Sequence, residues 1–75
     1  MKTISYLPLE FELKRKRMTK TTLKQLTKLS SATISKISKN EEMSLNAIKK
    51  IAEVLDCNIE NIIQFENINN KEGSN

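Results

Sequence analysis

The stretch TKTTLKQLTKLSSATISKI, Thr19 to Ile37, sets two short helical patterns almost end to end and breaks them at KLS. Leu23, Leu26, Leu29, Ile34 and Ile37 do not keep one helical register, because Leu29 falls off the face the others could share. Two helices joined by a turn of three or four residues satisfy the pattern instead. The second helix must then cross the first, held there by apolar contacts. Leu23 is expected to pack against Ile34 and Ile37, with Leu29 plugging the angle between the helices.

The rest of the chain extends this scheme. Glycine and proline occur once each, as Gly73 and Pro8, so helix boundaries must be read from Ser, Thr and Asn. Pro8 suits the first position of a helix, where its missing N–H costs nothing. A first helix over residues 8–16 puts Glu10 and Glu12 near the positive end of its dipole and Lys14 to Arg17 near the negative end. Leu9 and Leu13 share its inner face, and Phe11 does not. Thr19 caps a second helix, 20–27, with Leu23 and Leu26 inward, and Ser30 caps a third, 31–38, with Ile34 and Ile37 inward. Ser44 caps a fourth, whose Leu45, Ile48, Ile51, Ala52 and Leu55 form an apolar stripe. DCN breaks that helix, and Asn58 starts a short fifth with Ile59, Ile62 and Ile63. TISY and IIQFE carry enough β-branched and aromatic residues to pair as a ribbon, within or between chains. The expectation is an all-α domain of five helices over residues 1–66, with a small N-/C-terminal β ribbon and a flexible tail over 67–75.

Charge divides the chain sharply. From Leu13 to Asn40 there are nine Lys and Arg and no acid. Residues 41–75 hold seven acids against Lys49, Lys50 and Lys71. A net charge of +4 therefore describes a strongly basic segment joined to an acidic one. Such a segment fits a polyanionic partner, although lysines also serve simply to keep a helix face solvated.

Composition excludes several classes. With no histidine and one cysteine, Cys57, neither a disulfide framework nor a Cys/His zinc site can be assembled. No histidine, no pair of carboxylates on a common face and no glycine-rich phosphate loop leave an enzyme without support, and no cofactor is expected. No run approaches the roughly 18 apolar residues of a membrane span, and the N-terminus lacks a signal-peptide core. A soluble, cytoplasmic, nucleoid-associated protein is expected.

Three segments together carry a resemblance: ISYLPLEFELKRKR, MTKTTLKQLTKLSSATISKI and MSLNAIKKIAEVLDCNIENII. Residues 6–65, about four-fifths of the chain, resemble the Cro/CI-type (XRE, lambda-repressor-like) helix-turn-helix family, and its small single-domain members most. The helix-turn-helix unit is residues 19–38. The resemblance implies that helix 31–38 lies in the major groove of duplex DNA. Ser31, Ala32, Thr33, Ser35 and Lys36 are then placed to meet base edges, using hydroxyls, methyl groups and one ammonium. Lys20, Ser30, Ser38, Lys39 and Asn40 match positions that hold the DNA backbone. Five phosphate-neutralising contacts imply a log–log salt slope of roughly −4 to −5 per subunit. Two positions depart from the family pattern: Lys24, where alanine is common, and Lys28, where glycine is common because the turn asks for positive φ.

The function implied is a DNA-binding transcriptional regulator, a repressor in its simplest form. A homodimer on a pseudo-palindromic operator follows, with half-sites about 34 Å apart. The Lys-, Asn- and Ile-rich composition fits an AT-rich prokaryotic or mobile-element genome. Candidates for the dimer contact are the fifth helix's isoleucines, Phe11, Tyr6 and Phe65. The competing reading is a protein-interaction module, antitoxin or adaptor, built on the same fold. Cys57 is expected to be a small buried apolar residue rather than a redox switch.

Overall fold

The structure, a computed structural model, describes residues 1–68. Strand β1 (Lys2–Ser5) is followed by helices α1 (Leu7–Arg15), α2 (Lys20–Thr27), α3 (Ser31–Lys39) and α4 (Leu45–Leu55). A 3-10 turn (Ile59–Asn61) and strand β2 (Gln64–Asn67) follow. The strands pair antiparallel within one chain, Lys2 opposite Asn67 and Ser5 opposite Gln64.

Three helices begin by one chemistry. Thr19, Ser30 and Ser44 have extended backbone, and each side-chain oxygen accepts the N–H three residues on, at 3.1 Å. Each cap satisfies one donor that the first helical turn leaves without a partner. The same helices end alike, on a residue in the left-handed region: Lys28 (φ 60°), Asn40 (φ 54°) and Asp56 (φ 52°). The positive φ expected at Lys28 is therefore present without glycine. Helix α1 starts differently: no side chain caps Tyr6, and Pro8 falls at the second helical position. The Leu7 N–H instead finds Ser5 Oγ, and the Leu9 N–H finds the Ile62 carbonyl.

One apolar cluster joins every helix. It takes Leu9 and Leu13 from α1, Leu23 from α2, Ile34 and Ile37 from α3, and Ile48, Ile51 and Leu55 from α4. Tyr6 and Ile62, from the segments before α1 and after the 3-10 turn, belong to it as well. Each full burial is worth about 1.5–3 kcal/mol, so a few such side chains decide whether so small a domain folds. Leu29 lies half-buried against this cluster, as the plug between α2 and α3 requires.

Four expectations are corrected. Leu26 is 54% exposed, because Thr27 takes the inward position beside Leu23. Thr27 can be buried there because its hydroxyl donates to the Leu23 carbonyl at 2.8 Å and accepts from the Leu29 N–H. Leu45 is 74% exposed, since the buried stripe of α4 begins only at Ala47 and Ile48. The fifth helix shrinks to the one 3-10 turn, after which the chain must extend to pair β2 with β1; Ile62 is buried but Ile59 is exposed. Tyr6 and Ile62 are core residues, and neither is available as a dimer contact. Strand β2 runs to Asn67, and the Ile68 N–H donates to the Met1 carbonyl. The remainder of the expected tail lies outside the described residues.

Candidate nucleic-acid interface

Helix α3 has two unlike faces. Ile34 and Ile37 are locked into the core, while Ser31, Ala32, Ser35 and Lys39 are exposed on the opposite side. Lys36 is half-buried, a position from which its stem can lie on the helix while the ammonium reaches water. Thr33 is also half-buried, and its hydroxyl sits 3.0 Å from Ser30 Oγ. Of the five base-contact candidates, Ser31, Ala32 and Ser35 thus share an open face, Lys36 flanks it, and Thr33 is drawn toward the cap.

The backbone-contact candidates collect around the two ends of the helix pair. Ser30 caps α3, and Lys39 is exposed in its last turn. The other three are engaged inside the protein. Lys20 Nζ, on the first residue of α2, donates to Ser38 Oγ of α3 at 3.0 Å. The same ammonium pairs with Glu10 of α1 at 2.9 Å. Asn40 uses its side-chain carbonyl to accept the Tyr6 N–H at 3.0 Å, which leaves its amide nitrogen as the donor half.

Tyr6 fixes the loop that follows α3. Its hydroxyl donates to the Glu41 carbonyl at 2.6 Å while its ring is buried in the core. Burial, reinforced by the nearby Glu42 charge, raises the phenol above its ordinary pKa of 10.0, against a smaller lowering by a backbone hydrogen bond at Met43. Tyr6 therefore holds both the start of this loop, through Asn40, and its next residue. The sequence pattern offered no sign of this latch, since its partners lie 34 and 35 positions away.

Ion pairing separates the basic surface into two kinds of charge. Among the described residues, all three ion pairs end on α1 carboxylates: Arg15 and Lys16 on Glu12, Lys20 on Glu10. Helices α2 and α3 contain no carboxylate at all. Lys36 and Lys39 take part in none of these pairs. Glu10 is the charged partner that sequence reasoning missed. Its link to Lys20 crosses between helices, where no local spacing announces it.

Cys57 is half-buried, and burial, with the Glu12 charge beside it, raises its thiol pKa, which disfavours the reactive thiolate. Among the described residues, no group of His, Cys, Asp or Glu is placed to hold a metal ion. No helix among them is long and apolar enough to cross a membrane.

Comparison with known proteins identifies the family. The chain is similar to the transcriptional regulator VanUg, whose crystal structure superposes with a TM-score of 0.84 at 32% identity, covering 87% of each chain. No curated protein matches the chain. The family model described as the Cro/C1-type HTH DNA-binding domain matches residues 9–67, which run from within α1 to the end of β2. With four helices, three of them opened by a side-chain cap, a plugged turn between α2 and α3 and an acid-free outer face on α3, the chain belongs to the Cro/C1-type helix-turn-helix DNA-binding family.

Proposed function

We propose that this chain is a sequence-reading transcriptional regulator that seats the outer face of α3 in the major groove. One observation carries the reading: α3 presents Ser31, Ala32 and Ser35 to solvent, flanked by Lys36 and Lys39, with no carboxylate on the helix. A helix is about 10–12 Å across and the groove about 12 Å wide, so small side chains let it approach base edges closely. Ser31 and Ser35 then donate or accept at the bases, Ala32 meets a thymine methyl, and Lys36 reaches guanine O6/N7 or a phosphate. Lys39, the Asn40 amide nitrogen and the Ser30 and Ser38 hydroxyls hold the flanking phosphates and set register.

The ion pairs lower the expected salt dependence. Serine and asparagine contacts displace no counterion, and Lys20 is already neutralised by Glu10. Lys36 and Lys39, joined by one cation of the 14–17 run, then give a log–log slope of about −2 to −3 per subunit rather than −4 to −5. Repression by occluding polymerase is the mechanism proposed, acting as a homodimer. Phe11 (59% exposed) and Phe65 (65% exposed) supply apolar area outside the α3 face for that contact.

The test is selection of bound duplexes from a random-sequence pool at near-physiological salt. Enrichment of two half-sites about ten base pairs apart supports a dimeric reader. One enriched half-site keeps the reader and removes the dimer, and no enrichment ends the proposal. A second reading, a protein-docking module, is favoured by Leu7 and Phe11, exposed one turn apart on α1. Such a module keeps its partner at salt concentrations that strip DNA from the basic face.

A further inference from the structure

We infer that Glu10 is an electrostatic brake on DNA affinity, holding the Lys20 ammonium in an internal pair at the edge of the phosphate-facing surface. The inference rests on the DNA-binding reading above and concerns what limits that binding. Three helices meet at this ammonium: Glu10 of α1 at 2.9 Å, Ser38 of α3 at 3.0 Å, and Lys20 itself, which opens α2.

The placement is unusual for its charge. Helices α2 and α3 exclude acids, yet a carboxylate from α1 is brought against the first residue of α2. The pair is not buried: the Lys20 and Glu10 side chains are 33% and 37% exposed. Exposed pairs of this kind stabilise a fold only slightly, so holding the helices together is a weak account of it. Its charge consequence is larger. A lysine already paired with a carboxylate releases no net counterion when a phosphate arrives, because the pair as a whole is neutral. The ammonium donates to Ser38 Oγ and lies 2.9 Å from a Glu10 carboxylate oxygen, so its charge is already answered inside the protein. A phosphate that takes Lys20 fully must displace Glu10, and the displaced carboxylate then faces the phosphate itself.

Ser38 makes the arrangement directional. Its hydroxyl accepts from Lys20 independently of Glu10, so on the brake account removing the Glu10 charge leaves the cation a partner on α3. Glu10→Gln retains the size and the hydrogen-bonding capacity of the side chain and removes only its charge. On the brake account this variant gains one phosphate-neutralising contact. The log–log salt slope on a random-sequence duplex should then steepen by about 0.9, which makes the gain in affinity about 3.5-fold larger at 50 mM than at 200 mM salt.

The experiment measures duplex binding across that salt range for the wild type, Glu10→Gln, Lys20→Met and the double variant, with thermal unfolding to confirm that each is folded. The expected result is a gain for Glu10→Gln that largely disappears when Lys20 is methionine. An equal gain in both backgrounds overturns the brake, because Glu10 then acts as a bare negative charge and not through Lys20. No gain, or a loss, also overturns it, and assigns Glu10 to positioning Lys20 for the phosphate. Should Glu10→Gln fail to fold, Glu10→Ala is read by the same criteria. If the wild type binds no duplex at any salt, the brake falls together with the DNA-binding reading; if it binds and only the slope fails to change, the brake falls alone.

Discussion

Helices α3 and α4 are built by the same rules and put to different uses. Each opens on a serine whose hydroxyl accepts an N–H at 3.1 Å, and each closes on a left-handed non-glycine residue. Each commits isoleucines to one core cluster. They part company on the outer face. Helix α4 turns Lys49, Lys50 and Glu53 outward, a mixed surface whose charges oppose one another. Helix α3 turns out serine, alanine and lysine with no acid. Folding asks the same of both helices, and the proposed function reads the difference between them as a difference of partner.

The largest effect should ignore that difference. Ile37→Ala in α3 and Ile51→Ala in α4 each empty a fully buried site and should each cost about 2–5 kcal/mol in denaturant unfolding. A much smaller loss at one of them would break the claim that both helices share one core.

The outer faces should then separate the helices. Lys36→Ala should weaken operator binding by about 1–3 kcal/mol in anisotropy titrations, while stability stays within about 0.5 kcal/mol. Lys49→Ala in α4 should leave binding near wild type. Equal losses would mean that only total charge matters.

Tyr6 sharpens the comparison because its latch serves α3 alone, bonding at Asn40 and Glu41 just past its end. Tyr6→Phe removes the bond to the Glu41 carbonyl and should cost about 1 kcal/mol. The pH dependence follows from the raised phenol pKa. The folded state holds the proton more tightly than the unfolded chain does, so the contribution is complete below pH 10 and is lost as pH rises through the higher folded value. Alkaline unfolding should show this loss in the wild type and lack it in Tyr6→Phe.

The smallest effect lies in the helix ends. Lys28→Gly and Asp56→Gly relieve a positive φ and should stabilise by about 0.5 kcal/mol, once the extra freedom of the unfolded chain is subtracted. Asn40→Gly should instead destabilise, because it also deletes the acceptor of the Tyr6 N–H.

These contrasts mark how far the sequence alone was legible. The caps Thr19, Ser30 and Ser44 could be read directly, because Ser and Thr before an apolar pattern have one dominant use. Leu23, Ile34 and Ile37 followed from periodicity. Leu26 and Leu45 did not, since periodicity finds a face but not where its neighbours stop. A satisfied Thr27 displaced one of them, and the end of the core stranded the other. At the interface, the open face of α3 was legible because its residues are contiguous. The pairing of Lys20 with Glu10, and of Asn40 with Tyr6, was not. Both depend on how distant elements meet, which no local pattern encodes.

The central claim is that the outer face of α3, and no other surface, reads sequence. It is tested most directly by repeating the duplex selection with two variants, one carrying Ser31→Asn and Ser35→Asn in α3, the other Lys49→Asn and Glu53→Asn in α4. The α3 variant should enrich a different motif or none, while the α4 variant returns the wild-type motif unchanged. The same motif from all three proteins would contradict the account and place sequence reading elsewhere on the molecule.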